Sequence, residues 1–84
     1  MNATESKLID FIRVQLLEDP EYDLTPDAEL LLDDIVDSLG VMRLVEFIEH
    51  EGGAAVPAED VTIDNFSTVS VIAGYLSARS IAIT

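Results

Sequence analysis

Apolar residues recur at helical spacing in three separated runs of this chain, and nowhere do they alternate in the one-in, one-out manner of a strand. Val41, Leu44, Val45 and Ile48 follow i, i+3, i+4, i+7, the stripe that one face of a helix buries. Earlier, Leu8, Ile9, Ile12 and Leu16 fall on one side of a helical wheel with Phe11 beside them, while Lys7, Asp10, Arg13 and Glu18 share the other side. Val69, Ile72, Ala73 and Leu76 make the third stripe. Helices with no sheet to cover must bury their stripes against one another, so the expected fold class is all-α, a four-helix bundle of three longer helices and one short third helix. The 84 residues make one domain, 1–84, too short to enclose a cleft between domains. Its ordered core is expected to run from about residue 4 to about residue 79.

The punctuation between the stripes sets the expected boundaries. Thr4-Glu5-Ser6 reads as a cap followed by a polar first turn, and Asp19-Pro20 stops the first helix near Glu18. Val14 and Leu17 lie off the main stripe and read as flanking core contacts. A long connection, Asp19 to Asp37, holds Leu24, Leu30, Leu31 and Ile35 to pack it down. A helical turn over Asp27–Leu31 fits there, with Thr25 as cap and Pro26 in first position. Gly52-Gly53 ends the second helix. After the extended Val56-Pro57 step, Thr62 caps a short helix through Phe66, with Val56, Val61, Ile63 and Phe66 as core plugs. Ser67 is expected to cap the last helix, Tyr75 to pack with its hydroxyl in water, and Ser80–Thr84 to fray.

Charge removes several functions. With 17 acids against four bases the net charge is -13, which repels nucleic acid and favours partners with basic docking patches. No membrane segment and no leader are apparent, Met1 reads as a native start, and a cytoplasmic monomer is expected. Without cysteine there is no thiolate nucleophile or thiolate metal site. Catalysis is not expected: His50 is the one histidine, about 18 Å from Ser38 at the helical rise, and reads as a surface residue. Asp23, Thr25, Asp27 and Asp34 approach calcium-loop spacing, but Ala28 stands where such a loop needs glycine, Asp34 replaces its glutamate and Pro26 intrudes. No metal site is expected.

The stretch that remains is Asp33-Asp34-Ile35-Val36-Asp37-Ser38-Leu39-Gly40, where an acidic loop gives way to the second helix. Unpaired backbone N–H groups at a helix start favour a nearby anion, so Ser38 is placed to carry a phosphorylated group. Capping is the simpler role for a serine there. The helix that follows has a second face, Leu39, Met42, Glu46 and Glu49 with Arg43 and His50 at its edge. Apolar side chains among acids suit a transient docking surface.

These residues resemble the acyl carrier and peptidyl carrier protein family, the phosphopantetheine-attachment domains. The resemblance runs from the first helix to Leu76. Its specific part is Asp37-Ser38-Leu39 followed by the helix Val41 to Glu49, with Leu30 to Val36 similar to the loop that leads into the family's serine. Val56-Pro57-Ala58-Glu59-Asp60-Val61, Asn65-Phe66 and Thr68-Val69 resemble carriers of amino-acid-activating systems more than fatty-acid carriers. The resemblance implies that a phosphopantetheinyl transferase attaches 4'-phosphopantetheine from coenzyme A to Ser38, with Asp37 helping to hold the transferase's magnesium. It implies that Leu39, Met42, Arg43, Glu46 and Glu49 face partner enzymes. Those partners are a loading ligase, adenylation enzyme or acyltransferase, and downstream biosynthetic enzymes acting on an acyl or aminoacyl thioester. Three positions differ from the family pattern. Asp34 stands where many carriers have glycine, and Glu46 where fatty-acid carriers commonly have an apolar residue. Gly52-Gly53 replaces a phenylalanine–glycine pair, leaving Phe47 or Phe66 to fill the space, or the helix to end loosely. The alternatives are an unmodified acidic helical interaction module and, more remotely, a calcium-responsive protein.

Overall fold

The computed structural model describes residues 2–83. Among them there are four α-helices and no strand: α1 (Ala3–Phe11), α2 (Ser38–Gly52), α3 (Ile63–Phe66) and α4 (Val69–Ala78). A π-helical segment, Ile12–Leu16, continues α1, and a 3-10 turn, Ala58–Asp60, precedes α3. None of these helices is long and apolar enough to cross a membrane. The core is shared among Leu8, Ile9 and Ile12 of the first helix, Leu44 and Ile48 of α2, Phe66 of α3, and Val69, Ile72 and Leu76 of α4. Val41 and Val45 pack against it half-buried.

α1 begins earlier than Thr4 as cap would place it. Asn2 caps it, its Oδ1 accepting from the Glu5 N–H at 2.8 Å while the Glu5 carboxylate accepts from the Asn2 N–H at 3.0 Å. Two donors at the helix start are satisfied reciprocally, which Thr4 could not do from inside the first turn. At the other end the Leu17 N–H reaches back five residues to Ile12 at 2.8 Å. This wider turn adds a residue to the coil and leaves Val14 on its outer side, 46% exposed rather than in flanking core contact, while Leu17 packs half-buried as expected. Glu18, with φ 53°, then turns the chain out before Pro20.

The long connection is held by backbone as much as by side chains. The Leu30 N–H donates to the Ser67 carbonyl and the Ser70 N–H to the Pro26 carbonyl, both at 2.9 Å. With Leu30 so committed, the expected helical turn over Asp27–Leu31 gives way to a series of turns, and the Thr25 hydroxyl donates to the Asp27 carboxylate at 2.7 Å instead of capping. Leu24 and Leu30 are buried as expected. Val36 takes the third core position, while Leu31 and Ile35 stay half-exposed.

Thr68, not Ser67, caps α4, its Oγ1 accepting from the Val71 N–H at 3.0 Å, because the Ser67 carbonyl is already drawn to Leu30. Thr62 caps α3 as expected, yet Ile63 in its first position is 63% exposed and is no core plug. A four-residue helix buries one face only, and Phe66 takes it.

The largest departure is at the C-terminus. Ile81 and Ile83 are buried, at 7% and 0% exposure, where fraying was expected; Thr84 lies outside the described residues. The reason lies at Gly52, where an added Cβ would stand 2.6 Å from Cγ2 of Ile81 and 3.6 Å from Cγ2 of Ile83. The tail fills the space beside α2 that neither aromatic takes. Phe47 stacks on Phe11 with centroids 4.3 Å apart, and Phe66 lies 6.3 Å from Tyr75. Nor does α2 end loosely: Gly53 closes it at φ 66°, its N–H bonded to the Glu49 carbonyl at 3.0 Å.

Candidate functional site at the start of α2

Asp37 takes the cap of α2, which frees Ser38 from that duty. Its Oδ1 accepts from the Gly40 N–H at 2.8 Å, and its carbonyl accepts from the Val41 N–H at 2.9 Å. Ser38 is the first residue of the helix, exposed, and among the described residues its hydroxyl has no hydrogen-bond partner. Gly40 is buried behind it, and a Cβ there would stand 2.8 Å from Cγ1 of Val36 and 3.3 Å from the capping oxygen. Only glycine lets the loop close this tightly on the helix start. Asp34 turns the loop with φ 55°, a left-handed conformation that glycine takes freely and that aspartate adopts more readily than most other residues.

Two hollows flank the serine. On one side a groove of about 390 Å3 runs between α2 and α3, lined by Ser38, Val41 and Met42 facing Val61, Thr62 and Ile63. On the other a smaller hollow of about 230 Å3 is lined by Leu39, Gly40 and Arg43 with Leu16 and Asp34. The residues grouped by the helical wheel therefore divide between two sides of α2. Leu39 and Met42 are 68% and 62% exposed, and Glu46 and Arg43 are exposed as well. Glu49 is half-buried, and its carboxylate accepts from the Val56 N–H at 2.8 Å, which ties the following loop to α2. Met42, Glu46 and Glu49 line a further groove of about 480 Å3 with Val56, Ala58 and Val61. His50 projects into solvent, 4.0 Å from the Glu51 carboxylate and away from Ser38.

Two features escaped the sequence. Ile63, in the wall of the groove that begins at Ser38, and Leu32, 75% exposed, add apolar surface; neither belongs to a helical stripe whose period would say which way it points. Asp60 is the second. Its Oδ2 accepts from the Tyr75 hydroxyl at 2.5 Å and from Arg79 at 3.0 Å, so that hydroxyl is not left in water. Partial burial, then the bond to Asp60, raise the Tyr75 pKa above the ordinary phenol value, against an opposing pull from Arg79. Among the described residues no three acids or histidines come together as a metal site, and the calcium-loop spacing of Asp23–Asp34 yields none.

The exposed, uncapped serine at a helix start fits a long arm joined through a phosphodiester. Among the described residues the Ser38 and Leu39 N–H groups have no acceptor, so a phosphate held there would meet free donors, and a groove begins at the serine.

A scan against protein-family models finds no match. Two curated proteins are similar. A probable acyl carrier protein, PigG, from Serratia sp. is 34% identical over 65 residues, 77% of this chain and 75% of the relative. An acyl carrier protein from Syntrophobacter fumaroxidans is 35% identical over 80 residues, 95% of each chain. In shape the chain is similar, with a TM-score of 0.73 and 29% identity, to a chain solved as "Crystal structure of FAD-dependent dehydrogenase", covering 81% of this chain and 96% of that one. The chain belongs to the acyl carrier protein family. It is a carrier for biosynthetic enzymes and not itself an enzyme.

Proposed function

We propose that Ser38 carries 4'-phosphopantetheine and that the protein presents an acyl or aminoacyl thioester to separate biosynthetic enzymes in the cytoplasm, as a single-domain monomer. The observation that carries this is the division of labour at the start of α2: Asp37 caps, and the exposed Ser38 hydroxyl is left without a partner among the described residues. Attachment asks of this chain that the Ser38 oxygen form a phosphodiester with coenzyme A as the pyrophosphate bond breaks and adenosine 3',5'-bisphosphate leaves. The hydroxyl proton passes to the transferase. Asp37 spends only Oδ1 on capping, so its other oxygen is available to the transferase's magnesium. The attached group supplies a thiol, which this cysteine-free chain lacks. Leu39, Met42 and Glu46, with Arg43 at the edge, form the partner face; Glu49 contributes by shaping it.

An amino acid is the favoured cargo, from the resemblance of the Val56–Val61 and Asn65–Val69 segments to carriers of amino-acid-activating systems. A phosphopantetheinyl transferase and an adenylation enzyme, ligase or acyltransferase would then load it. Likeness to a chain solved as an FAD-dependent dehydrogenase supports adding a flavin-dependent oxidation to the candidate downstream steps. A bundle of this size has no room to enclose a flavin itself.

Incubation with coenzyme A, magnesium and a broad-specificity transferase is expected to add about 340 Da to the protein. Ser38→Ala is expected to gain nothing, and a Ser38→Ala protein that still gained the mass would overturn the assignment. Protein purified from its own source should carry the same adduct. An unmodified mass there would favour the interaction-module alternative.

A further inference from the structure

The groove beside Ser38 has one wall that does not hold itself in place. Val61, Thr62 and Ile63 line it opposite α2. They belong to a 3-10 turn and a four-residue helix, too short to be stable without anchors. The main packing partner of α3 is α4. Phe66, 1% exposed, anchors its C-terminal end. Asp60 anchors the other end. Its carboxylate binds Tyr75 and Arg79 of the last helix and its C-terminal cap, across 15 and 19 residues of chain. Its carbonyl accepts from the Thr62 N–H at 3.0 Å and from the Asn65 side chain at 2.9 Å. Arg79 lies 5.8 Å from the Tyr75 ring centroid, so the two donors brace each other. Groove-lining residues sit between these two pins, and at the start of the connection Glu49 ties Val56 to α2.

We infer that Asp60 is a positioning residue of the carrier. Through Tyr75 and Arg79 it fixes the Val61–Ile63 wall and so sets the width of the groove that begins at Ser38. Bonds to a charged acceptor are the stronger kind, and this one is three-quarters buried, so its loss is felt at the wall first. The functional half of the inference rests on the carrier reading of Ser38; the structural half does not.

The test uses the full chain. Asp60→Ala removes the acceptor, and Asp60→Asn keeps an oxygen for both donors. Hydrogen exchange at Thr62, Asn65 and Phe66 is expected to quicken about tenfold or more in Asp60→Ala relative to Leu8 and Ile12 of the first helix. The methyl resonance of Met42, on the facing wall, is expected to shift. With a transferase and coenzyme A, the KM for the carrier is expected to rise several-fold with kcat unchanged. Asp60→Asn should return all three readouts most of the way to the wild type. Exchange that quickens equally in the first helix and α3, or a Met42 resonance that stays in place, would mean that Asp60 only stabilises the bundle. If Asp60→Ala does not fold, Tyr75→Phe and Arg79→Gln each remove one bond and should show the same local pattern more weakly; a uniform change in both overturns the inference. Failure of the wild type to be modified at Ser38 would sink the carrier reading, and the exchange and Met42 results would still decide whether Asp60 fixes the Val61–Ile63 wall.

Discussion

Asp34 sits at φ 55°, a backbone conformation that costs most non-glycine residues about 1–2 kcal/mol. If the backbone alone explains this position, Asp34→Gly should leave stability within about 0.5 kcal/mol, while Asp34→Val should lose about 1–2 kcal/mol by chemical denaturation. A large loss in the glycine variant would show that the carboxylate itself matters. Tyr75 makes a second prediction at this scale. Its folded pKa is raised, so its neutral form is the one the fold favours. The stability it contributes is complete below the ordinary phenol pKa of about 10 and is lost as the pH rises through the raised value. Denaturation midpoints followed from neutral to strongly alkaline pH should therefore fall more steeply in the wild type than in Tyr75→Phe. The capping residues show why single positions are hard to read. Asn2 and Thr68 won over Thr4 and Ser67 because Glu5 reached back to one and Leu30 claimed the other's neighbour. The first of these signals, Asn2-Ala3-Thr4-Glu5, was legible in the chain; the second, a bond between residues far apart in sequence, was not.

At the scale of elements, the stripes of Leu8, Ile9 and Ile12, of Leu44 and Ile48, and of Val69, Ile72, Ala73 and Leu76 are buried as their spacing implies. Periodicity reports which face of a helix is apolar, and that survives any tertiary detail. The tail does not follow from periodicity, since two isoleucines separated by one alanine have no helical signal. Their burial depends on the missing side chain at Gly52, far upstream in the chain. Ile83→Ala should cost about 2–5 kcal/mol, the range for truncating a fully buried isoleucine. Gly52→Ala gains helix propensity but drives its Cβ into Ile81, and the net loss should be about 1 kcal/mol. Thermal melts of both variants would check this; an unchanged Ile83→Ala melt would mean that the tail is not part of the core.

At the scale of the whole molecule, a net charge of -13 and a sparse apolar face do different jobs. On the proposed docking face, long-range attraction to a basic partner would govern how fast the two meet, and Leu39 and Met42, both well exposed, would govern how long they stay. Association with a loading enzyme, measured by stopped flow, should slow several-fold between low and high salt in wild type and in Met42→Glu alike. The Met42→Glu substitution should chiefly raise the dissociation rate, with helical circular dichroism unchanged. An unaffected dissociation rate would remove Met42 from the docking face.

The amino-acid order alone was enough for the all-helical class, the three stripes and the placing of Ser38 at the start of the second helix, because each depends on neighbours within a turn or two. Tertiary structure decided the rest. It took Glu49 off the outward face by offering it the Val56 N–H, and turned Ile63 outward because Phe66 alone fills the space behind α3. It joined Asp60 to Tyr75 and Arg79, and drew the tail onto Gly52. Each of these is a contact between residues distant in sequence. Side chains with no periodic partner take their direction from whatever space and hydrogen-bonding groups the packed helices leave open, and only the assembled bundle contains that information.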